Sequence, residues 1–344
     1  MKAKSPKSNL NSTNIIFEKL SNKKFPRYVL TLDVGGTTTQ IGIVGIKNST
    51  YDIVYKTEVW TSKIPTIAKL SSELIEFSKK NLGIKISGLG VAVAGAINPL
   101  TQKVKTTNNK KTTSLDELKF VANNFGIKKV ALLNDFEALA YSINLIAKKD
   151  YKTIYKGKKV SKKPVLVIGA GTSIGINILT YNKEKKLYVP NNSEGANSDF
   201  VFSGKKEDKL KKFLESKYDR VLYETVVSGR GLENIYEFIS RKKNDAFFIE
   251  KNKKKSIECK NTFKLFSGYY GRLTKNVALL TLPYSGIYIC GGIAVRNPKV
   301  IGKEFFKEFH SGHIKQKFIK DIPIKLILSK DLSLKGAAYA LLKT

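Results

Sequence analysis

From residue 28 onward the chain alternates short apolar runs with glycine or polar turns, a pattern that predicts strands and helices in succession. Residues 28–33 read as a strand, Gly35, Gly36 and Thr37 as a tight turn, and residues 38–44 as a returning strand with Ile41 and Ile43 on one face. Residues 51–60 supply a third strand, so the ordered chain opens on a meander. Pro65 opens a helix in which Ile67, Leu70, Leu74 and Phe77 recur at helical spacing. Residues 86–94 read as a buried strand punctuated by Gly88, Gly90 and Gly95. Ser114 and Glu117 have the spacing of a capping box and start a helix through Val121. Residues 130–133 form a strand that ends at Asn134 and Asp135, where another helix begins.

The second half restarts the pattern. Residues 164–168 predict a strand, residues 169–175 a glycine turn and residues 176–180 the strand back. Helical patterns follow at 205–216, 222–240 and 262–281. Residues 286–290 form a strand running into Gly291 and Gly292, residues 324–328 the last strand and residues 333–342 the last helix. A glycine hairpin that occurs twice among alternating strands and helices predicts α/β architecture with two related lobes. The lysine-rich stretch 147–163 is irregular, a lobe boundary or a surface loop. Residues 1–27, rich in Lys, Ser and Asn, read as a basic, disordered tail. Ile15, Ile16, Phe17 and Leu20 within it could instead make one short docking helix, and a transit peptide is a third reading.

Composition narrows the classes. A chain of 344 residues suits one large domain or two lobes, and 42% hydrophobic residues supply a sizeable core. Two cysteines, Cys259 and Cys290, exclude a disulfide scaffold and a four-cysteine zinc site. With only His310 and His313, histidine triads and histidine-rich metal sites are disfavoured. No apolar run is long enough for a membrane span, and no hydrophobic signal core stands at the N-terminus, so a cytoplasmic protein is expected. Lys and Arg total 62 against 28 Asp and Glu, a net charge of +34. Attraction to polyanions is one reading. The excess is mostly lysine, scattered in short runs such as Lys205–Lys206, Lys242–Lys243 and residues 253–255, which favours a solvated surface. No zinc-finger, helix-turn-helix or aromatic RNA-binding pattern accompanies it, so no specific nucleic-acid partner is expected.

The glycine turns carry the candidate chemistry. A hairpin of Gly35, Gly36 and Thr37, or of Gly169, Gly171, Thr172 and Ser173, exposes backbone N–H groups to a phosphate, with hydroxyls as added donors. Asp33, just before the first turn, could hold Mg²⁺ or its water beside the phosphates. No P-loop motif is present. Gly291 and Gly292 either lie under a nucleotide base or make an ordinary strand-to-helix turn. Asn134 and Asp135 read as a helix N-cap as well as candidate chemistry.

Five strings, in matching order, bear a family resemblance. Residues 33–37 (Asp-Val-Gly-Gly-Thr) and 169–175 (Gly-Ala-Gly-Thr-Ser-Ile-Gly) resemble the two phosphate loops of the actin/hexokinase/heat-shock ATPase superfamily. Residues 133–136 (Leu-Asn-Asp-Phe), 193–200 (Ser-Glu-Gly-Ala-Asn-Ser-Asp-Phe) and 224–232 (Glu-Thr-Val-Val-Ser-Gly-Arg-Gly-Leu) resemble the catalytic and sugar segments of bacterial-type glucokinases. The resemblance runs from residue 28 to the C-terminus. A sibling family of sugar kinases and repressors carries a Cys-x-Cys-Gly-x-x-Gly-Cys zinc segment, which two distant cysteines cannot supply.

The resemblance implies a two-lobed ribonuclease-H-like fold of the actin/hexokinase kind, with a mixed sheet in each lobe and a cleft between. The small lobe would hold 28–145, completed by a C-terminal helix at 331–344, and the large lobe 146–330. It implies an enzyme of glycolysis that phosphorylates glucose at the 6-hydroxyl with ATP and Mg²⁺. Asp135 would be the general base; Asn134, Glu194, Asn197, Glu224 and Asn108 would bind the sugar. Asp33, Gly35, Gly36, Thr37, Gly169, Gly171, Thr172 and Ser173 would hold the phosphates and metal, and Gly291 and Gly292 would flank adenosine. The sequence departs from the family where Asn197 replaces a sugar-binding histidine, and where Thr38 and Gln40 replace an Asn and an Arg. Lys110 and Lys111 add charge beside Thr107 and Asn108. A kinase for another hexose or amino sugar is the alternative, then a non-catalytic regulator that associates with nucleic acid. A homodimer stays open.

Overall fold

The computed structural model describes residues 16–106, 112–312 and 317–343. The chain divides into two compact units, residues 1–146 with 330–344, and residues 147–329.

The first unit begins with strand β1 (Glu18–Lys19), followed by β2 (Arg27–Val34), β3 (Thr38–Lys47) and β4 (Thr50–Trp60). Helix α1 (Ile67–Leu82) starts at Thr66, whose side chain accepts from the Lys69 N–H, and stops at left-handed Gly83. Then come β5 (Gly88–Val93), the small β6 (Lys103–Lys105) and β7 (Thr112–Ser114) ribbon, α2 (Leu115–Asn123), β8 (Lys129–Asn134) and α3 (Asp135–Tyr141). Ser114 caps α2 as its spacing predicts, accepting from the Glu117 N–H. The main sheet runs β1-β4-β3-β2-β5-β8, antiparallel through the meander and parallel across β2, β5 and β8. Leu30, Leu32, Ile41, Ile43 and Leu89 pack on one face with Leu70, Leu74 and Leu118 of the helices.

The second unit repeats this order. Its strands are β9 (Tyr151–Tyr155), β10 (Val165–Ala170), β11 (Ile174–Asn182) and β12 (Leu187–Ser193). Helices α4 (Asp208–Glu215), α5 (Tyr223–Val226), α6 (Gly229–Ser240), α7 (Ala246–Asn252) and α8 (Ile257–Thr281) follow. Next are β13 (Gly286–Cys290), α9 (Gly292–Arg296), α10 (Lys303–Phe309), α11 (Lys317–Lys320) and β14 (Ile324–Ile327). The sheet runs β12-β11-β10-β13-β14-β9, with the same antiparallel-then-parallel sequence around the glycine hairpin. Phe266, Tyr270 and Phe305 lie at the centre of its core, where Gly271 lets α8 press against the α10 backbone at Phe305. Helix α12 (Leu332–Lys343) closes the chain on the first unit. Gly42 and Gly90 leave its sheet bare enough for Leu334 and Ala337 to lie directly on it. No helix among the described residues is long and apolar enough to cross a membrane.

The structure corrects three readings and adds elements the sequence did not announce. Residues 18 and 19 form a strand on the free edge of β4, where a short helix or a tail was expected. Phe17 anchors it by stacking on Phe77 at 5.7 Å, and Phe25 lies over Gly45. The stretch 147–163 is not wholly irregular: Tyr151–Tyr155 pairs antiparallel with β14 and ends the sheet. Residues 222–240 are two helices, because Gly231 is packed against the backbone of Val226 and Ser228 caps the second. Strand β12 and helix α7 carry no clean periodicity and went unpredicted.

Candidate active site

In the first unit the candidate residues gather at the C-terminal ends of the parallel strands, where open α/β sheets bind ligands. Asp33 lies one residue from the end of β2, and Asn134 ends β8. Asn134 is the N-cap of α3: its Oδ1 accepts from the Phe136 N–H at 2.9 Å and the Glu137 N–H at 3.2 Å, while Nδ2 donates to the Gly95 carbonyl at 3.0 Å. The capping role therefore falls on Asn134. Asp135, first in the helix, accepts from the Phe136 N–H at 2.8 Å. Burial pushes its carboxyl above the ordinary range, and that N–H pulls it partly back.

Asp33 is held by a hydrogen bond from the Ser333 hydroxyl at the start of α12. Burial raises its pKa from 3.8 to about 6; the Ser333 bond opposes the rise, nearby Asp135 adds to it, and Lys56 opposes it weakly. Lys56 is itself paired with Asp331. Directly across the β2–β3 ladder from Asp33 stands Gln40, whose buried Oε1 has no hydrogen-bond partner. The hairpin beside them is braced from β4's end. Gly35 donates its N–H to the Thr38 carbonyl at 3.1 Å. Thr61 donates its N–H to the Thr37 carbonyl at 2.9 Å and its hydroxyl to the Gly35 carbonyl at 2.7 Å.

In the second unit the β10–β11 hairpin closes through the Gly171 N–H on the Ser173 carbonyl at 2.8 Å, with Gly169 opposite Gly175 and with Thr172 and Ser173 exposed at the tip. Ser173 Oγ donates to Glu224 Oε2 at 2.5 Å. Glu194 accepts from the Asn197 side-chain amide at 3.0 Å, both on the exposed turn after β12. Gly291 has φ of 85°, and its open side faces the Ala170 backbone, so a side chain there would collide with the strand that enters the hairpin. Gly292 faces the guanidinium of Arg296, which is itself paired with Glu250.

The site residues thus fall into two groups. Asp33, Asn134 and Asp135 sit with the first hairpin; Gly169, Gly171, Thr172, Ser173, Glu224, Gly291 and Gly292 surround the second, and Glu194 with Asn197 occupies the turn at the end of β12. Asn108 lies outside the described residues, as do Thr107, Lys110 and Lys111. Sequence reasoning missed Ser333, Lys56 and Asp331, which reach Asp33 only through folding of distant segments. It also missed Arg272 of α8. This buried guanidinium donates to Glu207 at 2.7 and 2.8 Å, to Glu308 at 3.1 Å and to the Val201 carbonyl at 2.9 Å, holding the chain that follows Phe200. No local pattern announces either set.

Comparison with known proteins bears on the family and the fold. A family model described as Glucokinase matches residues 30–344. A protein of Trichormus variabilis named glucokinase is 29% identical, with 90% of this chain and 97% of that one aligned. Among solved structures, a glucokinase from an Antarctic psychrotroph superposes with a TM-score of 0.81 at 23% identity, over 92% of this chain and 99% of the other. A glucokinase from Balamuthia mandrillaris in complex with glucose superposes with a TM-score of 0.76 at 21% identity, over 92% and 93%.

Proposed function

Because the chain belongs to the glucokinase family, we propose that it transfers the terminal phosphoryl group of ATP to the 6-hydroxyl of glucose, with Asp135 accepting the hydroxyl proton. The observation that carries the assignment of Asp135 is its environment. The helix cap is already provided by Asn134, so Asp135 is not needed for it. Its carboxyl is raised by burial, which makes it a stronger proton acceptor than a surface carboxylate. An alcohol attacking a phosphoryl group needs such an acceptor beside its hydroxyl, with the attacking and leaving oxygens in line.

The remaining roles are those the family resemblance implies. Backbone N–H groups of the two glycine hairpins cradle phosphate oxygens. Glu194, Asn197, Glu224, Asn134 and Asn108 hold sugar hydroxyls, since carboxylates and amides accept or donate paired hydrogen bonds. Gly291 and Gly292 lie beside the adenosine. The donors around Asp33 suit Mg²⁺. That ion keeps several waters and takes one or two carboxylates plus phosphate oxygens, and the orphaned Gln40 Oε1 opposite Asp33 is a further oxygen acceptor. Bound there, the ion would neutralise charge on the transferring phosphoryl group. No group of three acidic, histidine or cysteine residues that could cage a metal occurs among the described residues, which suits a site completed by the nucleotide.

Two free cysteines buried in separate elements, Cys259 and Cys290, argue against the zinc-carrying sibling family. Two buried free thiols also suit a reducing, cytoplasmic setting. One observation favours a second reading, a kinase for a different hexose: one N–H of the Asn197 amide goes to Glu194, three residues away, at a position where the family carries a sugar-binding histidine. A coupled assay for ADP with ATP, Mg²⁺ and a panel of hexoses tests both. Turnover fastest on glucose is expected, and no turnover on any hexose sinks the proposal.

A further inference from the structure

The tip of the β10–β11 hairpin and the segment carrying Glu224 are tied at two points. The Ser173 hydroxyl donates to Glu224 Oε2 at 2.5 Å, and the Gly229 N–H donates to the Gly171 carbonyl at 2.8 Å. The chain between these contacts has no slack. Ser228 Oγ donates to the Glu224 carbonyl at 2.7 Å and accepts from the Gly231 N–H at 3.1 Å. Gly231 is seated against the Val226 backbone so closely that any side chain would be driven into it. Residues 224–231 therefore form a stiff turn, and whatever fixes Glu224 also fixes the hairpin tip.

We propose that Ser173 is a positioning residue that couples sugar binding to nucleotide binding. This rests on the reading of Glu224 as a sugar ligand and of the hairpin as a phosphate loop. An ionised carboxylate has about four lone-pair sites, so Glu224 can accept from Ser173 and from sugar hydroxyls together. The bond from Ser173 is charge-assisted, hence stronger than one between neutral groups. Sugar hydroxyls orient Glu224, Glu224 holds the Ser173 hydroxyl, and the tip is kept in the shape that presents its N–H groups. Without that bond the exposed tip is held by the Gly171–Ser173 closure and the Gly229 contact. Such a link is reciprocal: sugar tightens nucleotide by the same factor as nucleotide tightens sugar.

The test compares wild type, Ser173→Ala and Ser173→Thr. Calorimetry gives the dissociation constant of a non-hydrolysable ATP analogue with and without saturating glucose, and the ratio of the two measures the link. Ser173→Ala is expected to lower that ratio about fivefold or more, and Ser173→Thr, which keeps the hydroxyl, to restore it. If Ser173 served only as a phosphate donor, Ser173→Ala would weaken the analogue equally with and without glucose. An unchanged ratio, with glucose still binding, overturns the link and leaves the site reading standing. A wild-type protein that binds no glucose overturns both.

Discussion

The hydroxyl of Ser333 donates a hydrogen bond to the carboxylate of Asp33 across 300 residues of sequence. The last helix of the chain thereby supplies a partner to the first candidate site residue. Even with that donor, burial leaves Asp33 with a pKa of about 6, against 3.8 for an ordinary aspartate.

Such a carboxylate costs stability at neutral pH. Its folded pKa lies above its unfolded one, so the folded protein holds more protons between pH ~4 and ~6. Stability therefore falls as pH rises through that window and stays lower above it. Asp33→Asn removes the buried charge and is expected to stabilise the fold at pH 7 by up to about 3 kcal/mol, while turnover drops sharply. Near pH 3.5 the gain should vanish. Urea midpoints at the two pH values check this, and an equal gain at both would mean that charge is not the cause.

The N-terminal strand makes a second prediction. Phe17 stacks on Phe77 and meets Tyr55 edge-on at 6.4 Å, and β1 adds to the edge of β4. Phe17→Ala is expected to cost about 1–3 kcal/mol, less than the full cost of a deeply buried phenylalanine because the ring is only half-buried. Turnover per folded molecule should hold, since the strand lies away from the glycine hairpin on its sheet. A denaturation midpoint equal to wild type would show the strand to be a passive attachment.

A third concerns the crossing of α3 and α12. Gly336 faces the Ala138 carbonyl so closely that a methyl group has no room. Gly336→Ala must push the two helices apart, at a cost of about 1–3 kcal/mol or more. Asp135 rides on α3 and Ser333 on α12, so activity should fall further than stability alone explains. Comparing folded fraction with kcat on one preparation separates the two effects.

Most of the frame was legible because it obeys local rules. Each sheet sets apolar, largely buried strands on both sides of a glycine turn, and Ser114 and Asn134 sit at helix starts where their side chains take up backbone N–H groups. What escaped depends on distant partners. Residues 151–155 are exposed or half-buried and lysine-bearing, and only β14 makes them a strand. Phe17 and Phe25 look like strays in a basic tail until Phe77 and Gly45 receive them. At the candidate site, motifs pointed to Asp33, Asp135 and Glu224. Ser333, Lys56 and Arg272 belong to no motif, because their roles come from three-dimensional closure.

Asp135 offers the most direct test of the chemistry. Asp135→Asn keeps size and shape, and Oδ1 of the asparagine can still accept from the Phe136 N–H. The cap on α3 belongs to Asn134 and is untouched. Folding should therefore be preserved, and the loss of a carboxylate whose pKa burial has raised should stabilise the protein slightly at neutral pH. Glucose phosphorylation should nonetheless fall by roughly two to four orders of magnitude, the range for a lost general base. Glucose affinity should change far less, because Asn134, Glu194 and Glu224 remain. Thermal stability and single-turnover rate are measured on the same sample. A variant with unchanged melting temperature and near wild-type phosphorylation would remove Asp135 from the chemistry. A lower melting temperature with a matching loss of rate would reduce it to a structural residue. Only an intact fold combined with a collapsed rate fits a proton acceptor.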